Sequence, residues 1–220
     1  MAITVHHLEQ SRSHRILWFL EEVGADYQVR RYQRDPKTWR APPELTRIHP
    51  RGRAPVVEID GRVLAESGAI LETLAEEFGS ELLPSRDSDD FAHHRFFLHY
   101  AEGSLMTPLL VGLIMSKVSK AKVPFFVRPV VQGVVRNVNS SYTWPEISGH
   151  ATFLEGHLAE HPWFSGEQFG IADIQMSYGV VAAIERDAIR DDVPKVHDWV
   201  ARIRARPAYE RAVERGGPPV

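Results

Sequence analysis

No residue among the 220 is cysteine. That absence excludes disulfides, thiolate metal sites and a cysteine nucleophile. It is compatible with a reducing compartment. A dominant charge sign is missing as well: Lys and Arg number 26, Asp and Glu 29, for a formal net charge of -3. Nothing global therefore draws the chain to nucleic acid or to an anionic membrane. Long apolar runs are also absent. The longest, residues 108–115, contains Gly112 and is well under membrane-spanning length. The opening MAITVHHLEQ has no apolar h-region, so a signal peptide is not expected. The expectation is a cytoplasmic protein with no nucleic-acid and no membrane partner. Hydrophobic residues at 43% and charged residues at 25% are ordinary for a globular chain. The length allows one large domain or two small ones.

What is present is concentrated in residues 51–70, RGRAPVVEIDGRVLAESGAI. Val56, Val57 and Ile59 are β-branched strand formers, Asp60-Gly61 is a strong hairpin turn, and Val63 and Leu64 resume the extended pattern. Pro55 enters a strand although it cannot donate to the ladder. That marks Ala54-Pro55 for a special backbone geometry such as a cis bond. Glu66-Ser67 precedes a helical run that a hydroxyl can cap.

Upstream, Ile3, Val5 and Leu8 predict a first strand. A helix over 13–23 follows, with Ile16, Leu17, Leu20 and Val23 at helical spacing and Gly24 as its stop. Residues 27–32 alternate as a second strand. Residues 35–50 are a Pro- and Arg-rich loop with one irregular helix, and a third helix spans 67–78. The first part is therefore β-α-β-α-β-β-α. Residues 80–90, with proline, serine and several charges, read as a linker. Beyond it the pattern is helical: 91–120, a second run within 124–161 broken or kinked near Asn137 to Pro145, then 171–186, 194–206 and 208–215. The GGPPV tail is expected to fray. The expected domains are 1–80, a linker at 81–90, and 91–220.

The histidines raise the question of a metal. His157 and His161 are four apart and share a helix face, as zinc ligands do. No HExxH frame or nearby third ligand accompanies them. His6 and His7 in a strand point to opposite faces, and His93 and His94 on a helix diverge. No metal is expected.

The order of elements, the X-Pro step before the third strand and Glu-Ser at the third helix start resemble the cytosolic glutathione transferases. RAPVVEIDGRVLAESGAI is similar to the family's glutathione-binding segment, and HPWFSGEQFGIADIQMS to its buried helix-start motif. HHLEQSRSHRILWFLEEVGADY looks like the bacterial and fungal branch. The resemblance covers nearly the whole chain. It implies an α/β thioredoxin-like N-terminal domain plus an all-α helical C-terminal domain. It also implies a homodimer, with glutathione as co-substrate and a small hydrophobic electrophile as its acceptor.

In this family a Tyr, Ser or Cys after the first strand contacts the glutathione sulfur. The resemblance places Ser11 in that role, with Ser13 as the alternative and Arg12 and Arg15 adding positive potential. Both serines also suit simple capping of the helix. The resemblance puts the backbone of Ala54, with a cis bond to Pro55, against the cysteinyl unit. Ser67, at a helix N-terminus, suits the γ-glutamyl carboxylate, and Glu66 its ammonium. Arg53 is placed at the glycyl carboxylate, ahead of Arg40, Lys37 and His49. The electrophile is expected on the helix after the linker, near His99, Tyr100 and Met106, with Glu102, Ser104, Leu105 and Leu109 also considered. The family's second motif usually begins with Ser or Thr three residues before Asp. Here that place is Gly170, and Asp173 is expected to bond back to its amide as a folding device. Conjugation is the activity implied. Peroxide reduction or isomerisation with glutathione, and a non-catalytic glutathione-binding protein, are the alternatives. The thiol-disulfide branch is disfavoured for want of a cysteine.

Overall fold

A computed structural model describes residues 2–189 and 192–220. The chain opens with β1 (Ile3–Leu8), α1 (His14–Glu22), β2 (Gln28–Tyr32), the short α2 (Leu45–Ile48), β3 (Val56–Ile59), β4 (Arg62–Ala65) and α3 (Ser67–Phe78). The four strands form one mixed sheet in the order β2-β1-β3-β4. β1 runs parallel to β2, with Val5 opposite Val29, and antiparallel to β3, with Val5 opposite Val57. The β3–β4 turn places Asp60 at φ 46° and Gly61 at φ 82°. Two positive values in succession are the geometry a two-residue hairpin of the right twist requires.

The helical part begins with α4 (Asp90–Tyr100), which passes through a π turn (Ala101–Leu105) into α5 (Met106–Ser119). A second pair, α6 (Arg128–Val138) and α7 (Trp144–Glu160), is joined by another π turn, Asn139–Thr143. The break expected near Asn137 to Pro145 is thus a widened turn. Pro145, the second residue of α7, follows directly on that π turn, and widening the helix there accommodates a residue that cannot donate back to the preceding turn. α8 (Ile171–Glu185), α9 (Pro194–Arg204) and α10 (Pro207–Gly216) complete the fold. The stretch Asp90–Ser119 is long and apolar enough, by length and composition, to cross a membrane, with a mean hydropathy of 1.2. Here its α4 half packs on α8, and Glu102 inside it pairs with two arginines.

α8 is the pillar of the molecule. Every residue from 171 to 183 is buried, and the helix packs against α1, α3 and α4. One apolar cluster runs from Ile3 and Val57 in the sheet through Leu71 and Phe97 to Trp199. α10 returns to α1. Gly216 lies so close that a Cβ there would stand 2.4 Å from Leu17 Cδ1. Arg206 pairs with Glu22, and Arg211 and Arg215 with Glu21. The tail also folds back, because Val220 is half-buried against this core instead of fraying.

Candidate functional site

The loop between β1 and α1 holds a chain of hydrogen bonds ending in the last helix. His7, on the buried face of β1, donates from Nε2 to the Gly216 carbonyl at 2.9 Å. Its Nδ1 must then accept, and Ser13 Oγ donates to it at 2.9 Å. Burial lowers the His7 pKa, so the ring stays neutral and keeps this tautomer. Ser13 Oγ also accepts from the Leu8 amide at 3.1 Å. Ser11 Oγ lies 2.7 Å from Ser13 Oγ and 2.7 Å from the Leu8 carbonyl. With the Ser13 proton committed to His7, the Ser11 hydroxyl donates to the Leu8 carbonyl. The Ser13 side chain makes no cap bond to α1, whereas Ser11 Oγ accepts from the Ser13 amide at 3.2 Å at the turn that opens the helix. Ser13 is fully buried, whereas Ser11 keeps 6% exposure. Histidine 7 went unrecognised in the sequence because the partner that fixes it, Gly216, lies 209 residues away.

Arg15 is fully buried, an expensive place for a cation. It donates to Glu102 Oε1 at 2.6 Å and to Ser67 Oγ at 3.1 Å, and lies 5.5 Å from the Tyr178 ring. Arg12 meets the same carboxylate with Nε, at 2.8 Å to each oxygen. Burial pushes the Glu102 carboxyl up, but the two guanidinium groups outweigh it and hold it below the ordinary carboxylate range. Glu102 therefore clamps the helical part onto the loop after β1. Glu102, considered above for the electrophile site, lies within the π turn over 101–105 and is taken up by these ion pairs.

Ala54-Pro55 is cis. β3 begins at Val56, and among the described residues no backbone hydrogen bond outside the ladders engages Ala54. Ser67 is the first residue of α3 and Glu66 its cap position, with no side-chain cap bond. The expected hydroxyl cap is thus replaced by the Arg15 contact. Glu66 is exposed and holds φ 70°, a left-handed value that costs a non-glycine residue on the order of 1 kcal/mol. Arg53 is exposed, close enough to Arg34 to lower its pKa, though burial of Arg34 is the larger cause. Lys37 and Arg40 lie in the exposed turn around Asp35.

A cavity of about 1230 Å³ is walled mostly by the helical part and reaches the loop after β1 at Gln10 and Arg12. Gln10, Arg12, Arg34 and Trp39 line one side, and Met106, Leu109 and Tyr178 the other. Val220 from the tail also reaches it. Arg34 donates to the Gln10 carbonyl at 2.9 Å and lies 5.9 Å from the Trp39 ring. Of the expected electrophile residues, Met106 is in this cavity. His99 and Tyr100 are not, and line a separate open groove with Phe96. They share that groove with Gly103 and Ser104 of the π turn. Tyr100 instead bonds His150.

Two further expectations meet the fold. Gly170 does donate its amide to Asp173 Oδ2, at 3.2 Å. Asp173 also accepts from the amides of Phe164 and Ser165 and from Trp199 Nε1. A Cβ on Gly170 would stand 2.7 Å from the Leu82 carbonyl oxygen and 2.7 Å from Ser165 Oγ, so the hydroxyl residue common in the family has no room here. The absent third ligand for His157 and His161 needs correcting. The packing of α4 on the end of α7 brings His93 to them, and one ring nitrogen from each lies within 4.8 Å of the others. Sequence spacing cannot show a neighbour on another helix.

Residues 2–76 match the glutathione S-transferase N-terminal domain model, and 144–207 the glutathione S-transferase C-terminal domain model. Glutathione S-transferase 1 of Saccharomyces cerevisiae is 34% identical over 97% of this chain and 94% of its own length. The disulfide-bond oxidoreductase YfcG of Escherichia coli is 28% identical over 91% of this chain and 89% of its own. Among solved structures, a glutathione S-transferase from Actinobacillus pleuropneumoniae superposes with a TM-score of 0.79 at 30% identity, covering 97% of this chain and 92% of that one. With both domain models matched in order and a relative 34% identical along nearly the whole length, the chain belongs to the glutathione S-transferase family.

Proposed function

We propose that this transferase joins the glutathione thiolate to small hydrophobic electrophiles. The observation that carries the reading is the position of Ser11, one residue from Arg12 on the wall of a wide, partly apolar cavity. A free thiol of this kind has a pKa near ~8.5 and reacts only as thiolate. Ser11 turns its hydroxyl proton from the Leu8 carbonyl to the sulfur as a hydrogen bond. Arg12 and Arg15 add positive potential, and both effects favour the charged form. Ser13 would have to give up His7 to do the same, which makes it the residue that positions Ser11. The sulfur then attacks an electrophilic carbon held in the cavity near Met106. A thioether forms, and the leaving group departs with its electron pair.

The rest of the tripeptide follows the same logic. The free N–H and C=O of Ala54, turned out by the cis bond to Pro55, pair with the extended cysteinyl unit. The γ-glutamyl carboxylate meets the Ser67 hydroxyl and the N-terminus of α3, where amides and helix dipole favour an anion. Arg15 fixes the Ser67 Oγ from behind. The exposed Glu66 carboxylate takes the γ-glutamyl ammonium, and the strained φ of Glu66 fits a residue held for function. Arg53 takes the glycyl carboxylate. In this reading the enzyme is a cytoplasmic homodimer with domains at 1–80 and 91–220.

The test is retention on immobilised glutathione together with turnover of a chromogenic aryl halide. Retention with turnover is expected. Passage through the column, with no rise in melting temperature on adding glutathione, would sink the assignment. A second reading draws on the YfcG likeness. With no cysteine in the chain, disulfide reduction would have to run on the sulfur of glutathione itself. Mixed-disulfide and peroxide substrates in the same panel separate that chemistry from conjugation.

A further inference from the structure

We propose that His93, His157 and His161 form a binding site for a divalent transition-metal ion, zinc being the ion such a ligand set favours. His93 projects from α4. His157 lies in the last turn of α7, and His161 just past its end. The ring centroids are 4.4 to 5.1 Å apart. The three ring nitrogens, within 4.8 Å of one another, need to close to roughly 3.3 Å around a tetrahedral ion with Zn–N near 2.0–2.1 Å. Side-chain rotation supplies that movement.

The surroundings are arranged as for metal ligands. His157 donates Nε2–H to the Trp163 carbonyl at 3.1 Å, which leaves Nδ1 with its lone pair. His161 Nδ1 is buried, makes no hydrogen bond and lies 3.6 Å from Glu167 Oε1. Glu167 is itself tethered, its amide donating to Asp90 at the start of α4. A carbonyl behind one imidazole and a carboxylate beside another are the outer partners that orient ligating histidines. Below the cluster, Phe97 lies 4.4 Å from the His157 ring and Phe164 stacks on it at 5.9 Å. That floor limits solvent to one side.

The chemistry selects the ion. Imidazole nitrogens suit zinc, copper and nickel, whereas magnesium and calcium require oxygen ligands. With three histidines, a fourth position is left for water or for Glu167. None of the three residues lines the large cavity, so the ion clips α4 to the end of α7 and takes no part in conjugation. The competing explanation is plain ring packing among three imidazoles.

Untagged protein, stripped with a chelator and dialysed against zinc, decides between them by metal analysis and thermal melting. One zinc per chain is expected, with a melting temperature raised by about 5–10 °C at zinc a hundredfold above Kd. His93→Gln and His161→Gln should each abolish both effects while melting normally without metal. His99→Gln, on the same helix but outside the cluster, should bind as wild type. Cobalt added instead of zinc should give the strong visible bands of a tetrahedral ion. No stoichiometric binding to wild type, or binding that survives His93→Gln, would overturn the site. Glutathione retention measured alongside should not depend on zinc.

Discussion

Ser11, Ser13 and His7 lie within seven residues of one another on a strand and a tight loop, with the Gly216 carbonyl anchoring His7 from outside. Met106, Tyr178 and Val220 share one cavity but come from α5, α8 and the tail. The first set is buried and saturated with hydrogen bonds. The second surrounds about 1230 Å³ of open space. Short, local, polar construction suits a ligand that never changes. A wide space walled by separate elements suits ligands that do. Glu102 joins the two regions, since it sits in the helical part and holds Arg12 and Arg15 of the first.

The largest effect should come from that joint. Glu102→Gln leaves Arg15 buried without its counter-charge. Stranding a buried ion typically costs 3–5 kcal/mol. Glu102 keeps a third of its exposure, so the low end, about 3 kcal/mol, is expected. In a chain of this size that is a fall in Tm of roughly 6–12 °C. A Tm within a degree of wild type would mean the two regions are not coupled through this carboxylate.

Ser11→Ala should act on one region only. Losing a single preorganised donor to a charged reacting group costs about 100-fold or more in rate. That loss should be similar for every electrophile and accompanied by a raised pKa of the bound thiol, while Tm hardly moves. Ser13→Ala tests the same chain of bonds one step back. If Ser13→Ala lowers kcat/KM more than Ser11→Ala does, the sulfur contact belongs to Ser13.

Acid should weaken both regions alike. His14 on α1 is held to about 3 by burial and then by His7, and His94 on α4 to about 4 by burial and then by His99. Both pKa values are depressed relative to the unfolded chain, near 6.5, so the unfolded state takes up protons first. Their contribution to stability is complete above about pH 6.5 and falls as the pH drops toward 4. Denaturant melts at pH 7 and pH 5 should show the loss, and His94→Gln should flatten the slope. An unchanged slope in that variant would remove His94 from the account.

The same contrast explains what could be read in the sequence. The hairpin at Asp60-Gly61, the cis Ala54-Pro55 step and the start of α3 were legible because each rests on residues adjacent in the chain. The second motif was legible as a fold device, since Asp173 lies three residues from the amide it binds. Gly170 gave no sign that a Leu82 carbonyl would fill the space a side chain needs. His7, Glu102 and the His93 cluster depend on partners in other elements, and composition carries no trace of such pairs. His99 and Tyr100 line a different groove from Met106, a separation that spacing along one helix did not announce, because the wall opposite each residue comes from other elements.

Met106→Ala is the smallest and most selective probe of the comparison. Met106 begins α5, lies against Leu105 and Gly179, and faces the cavity. Truncating it enlarges a space that is already open to water, so little stability is lost. A contact of a few methylenes with an apolar substrate is worth about 1–3 kcal/mol at most. The ratio of kcat/KM between a bulky and a small electrophile should therefore shift by roughly 5- to 20-fold toward the bulky one. The KM for glutathione should stay within about twofold, because methionine contributes no charge and no strong hydrogen bond to the sulfur site. A change in glutathione KM as large as the change in electrophile preference would erase the division between the two regions. An unchanged preference across a size series would move the electrophile away from α5, toward the Arg34 and Trp39 side of the cavity.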